Sequence, residues 1–258
     1  MGPAMAYCPR CDKENPDTSA KCQFCGASMS SGTLVMHHGM MPKPKVTIRV
    51  VRADGGPETS LPLKKDEALI GSAGDIPLMD DPFVARVQAK FFFSGMSLVV
   101  EDVAGGNGVF AKLKAEREVM PGMEVRCGRQ RLLFESVIPL PPGQPTSWGS
   151  PDPGYRARVI QLLEGGRRGD AFPLREGENP LGRENGEITF PGDGFVSGRH
   201  AMITMRAERI FIKDVGSSNG TFFRLGGPTP LENGDHLLIG RQLLKLDIAP
   251  PTFGPGPT

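Results

Sequence analysis

The chain has 258 residues, among them 25 Pro and 34 Gly, and hydrophobic residues make up 38% of it. This length and composition predict about two domains with Pro- and Gly-rich connections, not one large core. The net charge of +1 excludes a global electrostatic field of the kind that draws a protein to nucleic acid or membranes. No apolar run reaches the roughly 18–20 residues that span a bilayer. The first ten residues lack the apolar stretch of a signal peptide, so we expect a cytoplasmic protein with no membrane partner.

Four of the five cysteines fall within the first 25 residues, as two C-x-x-C pairs. Cys8 with Cys11 and Cys22 with Cys25 would supply the tetrahedral four-thiolate shell that zinc prefers. Two disulfides, a redox pair and an iron–sulfur site are the alternatives. The equal spacing of the pairs and the expected cytoplasmic location favour zinc as a cofactor. Residues 1–27 resemble the short zinc ribbons found at the start of bacterial regulatory proteins.

The rest of the chain repeats itself at an offset of 111 to 112 residues. The clearest identities are Phe83-Val84 with Phe195-Val196, Asn107-Gly108 with Asn219-Gly220, and Gly128-Arg129-Gln130 with Gly240-Arg241-Gln242. A repeat of this length indicates two tandem copies of one domain and not a solenoid. We place the copies at 45–138 and 155–249. The remaining segments are a flexible linker at 28–44, a Pro- and Gly-rich linker at 139–154 and a disordered tail at 250–258.

Each copy shows the pattern of an all-β domain. Short β-rich runs bounded by Gly or Asn-Gly turns occur at 46–51, 97–101, 131–135, 159–163, 209–213 and 242–247. Many short strands at regular spacing are typical of a β-sandwich. The predicted fold is therefore all-β, with two tandem sandwiches after the zinc ribbon.

The second copy carries a set of groups suited to binding phosphate. They are Leu181-Gly182-Arg183, Val196-Ser197 with His200-Ala201, and Asp214 with Ser217-Ser218-Asn219-Gly220-Thr221. These runs lie on predicted loops and combine a cation, hydroxyl donors, an amide and glycine-supported backbone. Over about 95 residues, in this order and spacing, they resemble the forkhead-associated (FHA) domain. That resemblance implies an eleven-stranded β-sandwich that binds phosphothreonine peptides through loops at one end.

The resemblance also implies a role for each motif residue. Arg183 would pair with the phosphate, Ser197 and Ser218 would donate hydrogen bonds to it, and Asn219 would contact the peptide backbone. The supporting residues are Gly182, His200, Gly220 and Thr221, of which His200 would brace the binding loop. The family usually has Arg directly after the motif serine. Here Gly198 takes that place, so a ligand contact by Arg199 is not carried over.

The first copy lacks most of these groups. Ser72 stands at the position of Arg183, Ala85 at that of Ser197, Gln88 at that of His200 and Gly106 at that of Ser218, while Asn107-Gly108 is retained. Without the arginine and the motif serine, a phosphate would find no fixed cation at this place. We therefore interpret residues 45–138 as a degenerate FHA-like domain that is structural or binds a partner without phosphate.

Taken together, the sequence predicts a non-enzymatic signalling adaptor. Its partner would be a phosphothreonine-containing protein, either a Ser/Thr kinase or a kinase substrate. The alternative is a nucleic-acid-associated regulator in which the zinc ribbon contacts DNA or RNA. Charge argues against nucleic acid, because residues 155–249 carry 13 basic and 12 acidic side chains without a basic stripe. No hydrolase, metalloprotease or P-loop motif is present. An intramolecular phosphothreonine is a further partner, with Thr18, Thr33 and Thr146 in or near the predicted linkers.

Overall fold

The computed structural model describes residues 5–8, 13–16, 19–27, 43–51, 56–79, 81–138 and 148–250. The chain divides into two compact units, residues 1–43 with 251–258, and residues 44–250. The predicted flexible linker, except its last two residues, and the predicted tail after residue 250 lie outside the described residues. Within these ranges the one helical element is a 3-10 turn at Glu164–Gly166, and no helix is long and apolar enough to cross a membrane.

The first unit contains a small antiparallel hairpin. Strand β1 (Met5–Tyr7) pairs with β2 (Glu14–Pro16), with Ala6 opposite Asn15. The hairpin is too short to bury a core of its own, so its stability has to come from elsewhere, such as a bound metal.

The second unit is built of short strands, which confirms the all-β fold class. The first copy supplies β3 (Lys45–Val51), β4 (Thr59–Pro62), β5 (Glu67–Gly71), β6 (Ile76–Pro77), β7 (Ala89–Ser94), β8 (Ser97–Asp102), β9 (Val109–Lys112), β10 (Arg117–Val119), β11 (Glu124–Cys127) and β12 (Gln130–Ser136). The second copy supplies β13 (Ala157–Leu162), β14 (Arg168–Leu174), β15 (Gly177–Gly182), β16 (Ile188–Thr189), β17 (Ala201–Arg206), β18 (Arg209–Asp214), β19 (Thr221–Arg224), β20 (Thr229–Leu231), β21 (His236–Ile239) and β22 (Gln242–Ala249). Five of the six runs predicted from sequence lie wholly within strands, and the run 159–163 lies on β13 except for Leu163.

The strands follow the period of two that a half-buried sheet requires. In β3, Val46, Ile48 and Val50 are buried, while the residues between them are partly exposed. The same alternation in β22 buries Leu244 and Leu246. Since a shift by one residue would turn the apolar side chains to solvent, this alternation fixes the register in which Ile48 lies opposite Leu246.

The two copies exchange their last three strands. The β10–β12 segment of the first copy pairs with β18, β19 and β13 of the second copy. In return, β20, β21 and β22 of the second copy pair with β8, β9 and β3 of the first. A ten-stranded sheet in the order β14-β13-β12-β11-β19-β9-β21-β22-β3-β4 therefore runs through both halves, and a five-stranded sheet accompanies each half.

Each of the two hydrophobic cores accordingly contains residues from both copies. The first core combines residues 46–109 with an exchanged group, Leu225, Leu231, Leu237, Ile239, Leu244 and Leu246. The second core combines residues 157–212 with Leu113, Val119, Val125, Cys127, Leu132 and Phe134. Every residue of these two exchanged groups is at most 7% exposed. The exchanged strands are thus structural parts of the sandwich that they enter.

The exchange changes the meaning of the predicted domain boundaries. The limits 45–138 and 155–249 remain a prediction about the sequence repeat, but the packed cores do not follow them. Residues 139–147 lie outside the described residues, and the segment 139–154, expected to be a spacer between two domains, connects β12 to β13, which are neighbours in one sheet. Its ends meet where the Val137 N–H donates to the Arg156 carbonyl at 2.8 Å, and β12 continues this pairing with β13.

Candidate functional site

Three loops of the second copy meet at one end of its sandwich. The Arg183 N–H donates to the Ser197 carbonyl at 2.9 Å, which joins the loop after β15 to the loop before β17. The Ser218 N–H donates to Ser197 Oγ at 3.0 Å, and Asn219 Nδ2 donates to the Phe195 carbonyl at 2.8 Å. These bonds fasten the loop after β18 to the same centre. The structure thus brings together all four residues expected to contact phosphothreonine.

His200 is the buried brace between two of these loops. Its Nδ1 accepts the Ser197 N–H at 3.0 Å, so the ring proton belongs on Nε2, which donates to the Gly220 carbonyl at 3.1 Å. Burial lowers the pKa of His200, although the bond to Gly220 and the charges of Asp214 and Asp193 oppose that effect. The neutral ring is the form that fits, because a protonated Nδ1 could not accept the Ser197 N–H.

Asp214 organises the third loop. Its Oδ1 accepts the N–H groups of Gly216 and Ser217, and its Oδ2 accepts the hydroxyls of Ser217 at 2.6 Å and Thr221 at 2.8 Å. Burial by itself would raise the pKa of Asp214, but these hydrogen bonds together lower it below its ordinary value. Thr221 therefore contributes to the hydrogen bonds that hold this loop, and so does Asp214, to which the sequence analysis gave no role.

The polar groups expected to contact phosphate face solvent. The Arg183 side chain is 38% exposed, and its Nε bonds to Glu184 at 3.0 Å. Ser218 and Asn219 are exposed and Ser197 is half-buried. Because Ser197 Oγ already accepts the Ser218 N–H, its own proton remains available to a ligand; no acceptor for it lies among the described residues. The end of the sandwich thus offers one guanidinium and two hydroxyl donors.

Glycine is required at Gly182 because of a close backbone approach. A Cβ there would lie 2.1 Å from the Gly198 carbonyl oxygen, so any side chain would push apart the loops that carry Arg183 and Ser197. Gly220 has a φ of +86°, in the region that favours glycine. Both glycines thus permit the backbone geometry of these loops.

Asp193 is a functional support that the sequence analysis missed. The side chain is 5% exposed; its Oδ1 accepts the Phe195 N–H at 2.9 Å, and its Oδ2 accepts the Arg129 N–H and Gln130 Nε2, both at 2.8 Å. Arg129 and Gln130 belong to the exchanged hairpin, so Asp193 anchors the Ser197 loop to a segment of the other copy. The repeat contained a signal for Asp193, because Asp81 occupies the equivalent position of the first copy. In the structure Asp81 accepts the N–H groups of Phe83 and Arg241.

The first copy keeps the loop geometry without the phosphate-binding side chains. Gln88 takes the place of His200: its Oε1 accepts the Ala85 N–H at 3.3 Å, and its Nε2 donates to Asp102 at 2.9 Å and to the Gly105 carbonyl. Asn107 Nδ2 donates to the Phe83 carbonyl, as Asn219 does to Phe195. The amide of Gln88 therefore replaces both nitrogens of the imidazole.

The hydrogen bonds of Gln88 suggest a substitution at His200 that keeps the loop contacts and removes the titratable imidazole. We expect His200→Gln to keep the fold at pH 7.5, whereas His200→Ala lowers the free energy of unfolding by about 2–4 kcal/mol, since two buried hydrogen bonds are lost. The native pKa of His200 is lowered, so the unfolded chain binds the proton first and stability falls as the pH drops below about 6.5. His200→Gln should reduce this loss.

Denaturant unfolding at pH 7.5 and 5.5 measures both effects. Burial also lowers the pKa of His236, which therefore titrates in the same direction, and His236→Gln serves as the matched control. If His200→Gln lost as much stability on acidification as the parent chain, His200 would not be the titrating group.

The first unit brings three of its cysteines together. The sulfurs of Cys8, Cys22 and Cys25 all lie within 4.8 Å of one another, and Cys8 Sγ is 3.5 Å from Cys25 Sγ. Sulfurs bound to a tetrahedral zinc at about 2.3 Å would lie about 3.8 Å apart, so the cluster fits that geometry. The Phe24 N–H and Asn15 Nδ2 also point at Cys22 Sγ, at 3.4 and 3.5 Å, as donors that stabilise a thiolate. Cys11, the fourth expected ligand, lies outside the described residues.

The comparison with protein families concerns the second copy. Residues 180–240 match the FHA domain family. FHA domains are non-catalytic modules that bind phosphothreonine in Ser/Thr kinase signalling. The matched range contains all the site loops described above, and its last part, from β20 onward, lies in the first core because of the strand exchange.

One similar curated protein is the FHA domain-containing protein FhaB of Mycobacterium tuberculosis. The two are 32% identical over 68 residues, which is 26% of this chain and 44% of FhaB. The chain therefore matches less than half the length of that relative.

Solved structures of FHA domains are also similar. One is the FHA domain of a Chlamydia trachomatis protein, 13% identical, covering 79% of this chain and 96% of that domain, with a TM-score of 0.30. Another comes from work described as an analysis of phosphothreonine-dependent FHA domain interactions. It is 27% identical and covers 35% of this chain and 95% of that one, with a TM-score of 0.20.

Proposed function

We propose that this chain is a signalling adaptor without catalytic activity, whose second FHA copy binds phosphothreonine in protein segments phosphorylated by a Ser/Thr kinase. The observation that carries the proposal is the convergence of Arg183, Ser197 and Ser218 at one end of the sandwich. A phosphothreonine offers three acceptor oxygens and nearly two negative charges, which match one guanidinium and two hydroxyl donors.

The role of each residue follows from its contacts. Arg183 pairs with the phosphate, Ser197 donates its free hydroxyl proton, and Ser218 adds a second hydroxyl. Asn219 holds the Phe195 carbonyl with its Nδ2, and its Oδ1 faces solvent, where it accepts an N–H of the bound peptide. His200 keeps the loops together in the absence of ligand, so binding costs little conformational entropy for ordering these loops.

Binding of phosphothreonine peptides to the full chain tests the proposal. Arg183→Ala should weaken binding by about 10- to 100-fold, since charge-assisted hydrogen bonds contribute about 1.5–3 kcal/mol each. Fluorescence anisotropy with degenerate phosphothreonine, phosphoserine and unphosphorylated peptide pools measures the effect. Arg206→Ala is the matched control, because Arg206 ends β17 at its far end and pairs with Glu116. If Arg183→Ala still preferred phosphothreonine with unchanged affinity, the assignment would be wrong.

The cysteine cluster of the first unit completes the proposal as a structural zinc site. Cys8, Cys11, Cys22 and Cys25 hold the metal, which stabilises the short hairpin and has no catalytic part. The support is the convergence of three sulfurs and the two donors aimed at Cys22 Sγ.

Metal analysis of the purified chain tests the zinc site. We expect about one zinc per chain, lost in Cys22→Ser. Cys127→Ala is the matched control: that thiol is fully buried in the second core, where burial raises its pKa to about 12, and it is no ligand. A chain without zinc, or a Cys22→Ser chain that keeps it, would contradict this site.

A further inference from the structure

A cleft lined by four arginines, none of which is Arg183, lies beside the degenerate first copy. It has a volume of about 140 Å³ and is lined by Arg126, Arg129 and Arg131 of the exchanged hairpin, by Arg241, and by Phe83 and Asn107 of the first copy. The turn at Leu162–Gly166 closes another side. The strand exchange creates this cleft, because its arginines come from both exchanged hairpins.

The positive charge of the cleft is only partly compensated. Arg131 pairs with Glu124 at 2.5 Å, and Arg241 lies 3.6 Å from Asp81. Among the described residues no carboxylate lies within 4.0 Å of the guanidinium of Arg126 or Arg129. Glu164 is the one carboxylate that lines the cleft; it is exposed and pairs with neither arginine.

Arg126 is the most unusual member of the cluster. Its Nη1 donates to the Gly240 carbonyl at 2.6 Å, and its guanidinium faces the Phe110 ring at 5.6 Å. Burial and repulsion by Arg131 lower its pKa to about 10. Arg126 is half-buried, and its one hydrogen-bond partner among the described residues is a carbonyl, so an anion in the cleft would stabilise its charge.

The other arginines are held in position. Arg129 stacks on Phe195 at 4.6 Å and Arg241 on Phe83 at 5.5 Å. Arg131 Nη1 bonds to Asn107 Oδ1 at 3.4 Å, so the one motif residue that the first copy retains forms part of the wall. Several guanidiniums that line one cleft and are held by their neighbours suit a tetrahedral oxyanion, which offers more acceptor oxygens than a single carboxylate.

We propose that this arginine cleft binds a phosphoryl group, as a second anion site that does not depend on Arg183. The first copy lost the arginine and serine of its loop site, and the exchanged hairpins supply cations next to the loops that remain. The phosphoryl group belongs either to a phosphorylated protein segment or to a small free anion.

The experiment uses the full chain with Arg183→Ala, which removes the first site. Inorganic phosphate is titrated at constant ionic strength against chloride, with thermal unfolding and calorimetry as readouts; a phosphothreonine peptide pool forms the second arm. We expect saturable binding that Arg129→Gln weakens about tenfold, because one fixed cation is lost. Arg156→Gln, in a different cleft, is the matched control and should leave binding unchanged.

A second variant separates binding from a structural role. Arg126→Met should raise the unfolding midpoint without phosphate, because it removes the uncompensated charge, and should abolish the stabilisation by phosphate. Binding of phosphate alone would assign a free anion, and binding of the peptide pool alone a protein segment. No saturable binding in either arm, or equal binding by the Arg129→Gln chain, would overturn the proposal.

Discussion

Residues 113–225 produced alone are expected to fold as one monomeric sandwich and to bind phosphothreonine, whereas residues 155–249 alone are not. The first fragment contains the whole second core, including the six exchanged residues, together with all three site loops. The second fragment follows the sequence repeat and lacks every one of those six residues.

The size of the effect follows from the burial of the exchanged residues. Fully burying an aliphatic or aromatic side chain stabilises a fold by about 1.5–3 kcal/mol, so the five such residues beside Cys127 contribute about 10 kcal/mol. That equals the entire net stability of an ordinary domain, about 5–15 kcal/mol. Without the first copy, residues 155–249 lack these side chains, and we expect them to bury their open core by exchanging 229–249 with a second molecule, as in a domain-swapped dimer.

Sedimentation and denaturant unfolding of both fragments measure the difference. We expect a cooperative monomer for residues 113–225 and a dimer for residues 155–249 at micromolar concentration. A matched control is residues 113–225 with Arg183→Ala, which should fold equally well and lose phosphothreonine binding. A stable monomer of residues 155–249 with full affinity would show that the exchange is not needed.

The second large effect is expected for Asp193→Ala. Removing this carboxylate leaves three donors without their acceptor, the N–H groups of Phe195 and Arg129 and the side chain of Gln130. Each unsatisfied buried donor costs about 1–3 kcal/mol, so we expect a loss of about 3–5 kcal/mol and a thermal midpoint about 10 °C lower. Phosphothreonine affinity should fall at least about tenfold, because the Ser197 loop loses its anchor.

Asp81→Ala is the matched control for this variant. Asp81 accepts the N–H groups of Phe83 in the first copy and of Arg241 in the exchanged hairpin of the second copy, which correspond to two of the three bonds of Asp193. It should therefore destabilise the chain to a similar extent while leaving Arg183-dependent binding intact below the unfolding temperature. Equal loss of binding in both variants would mean that affinity follows overall stability and not the Ser197 anchor.

The sequence was sufficient for the all-β fold class, because short β-rich runs bounded by turns predicted the strands. It also predicted Arg183, Ser197, Ser218 and Asn219 on loops at one end of a sandwich, and these four residues lie close together in the structure. Loop residues that share a family pattern keep their spatial relation whichever hairpin completes the sandwich, so the exchange did not affect that prediction.

The strand exchange itself could not be predicted from these patterns. Residues at equivalent positions of the two exchanged segments are alike in character. The pairs are Val119 with Leu231, Val125 with Leu237, Cys127 with Ile239, Leu132 with Leu244 and Phe134 with Leu246. The two segments therefore share one hydrophobic pattern, and this pattern cannot distinguish the exchanged pairing from the unexchanged one. The role of Asp193 was missed for the same reason, since its partners belong to a segment assigned to another domain.

The hairpin connection at 139–154 has a consequence for the integrity of the molecule. A protease that cut the chain there would produce two polypeptides, each of which supplies strands to both sandwiches. Neither polypeptide could dissociate without exposing both hydrophobic cores to solvent. The nicked protein should migrate as one particle until it is denatured, and the two halves, expressed separately, should reassemble into a working complex.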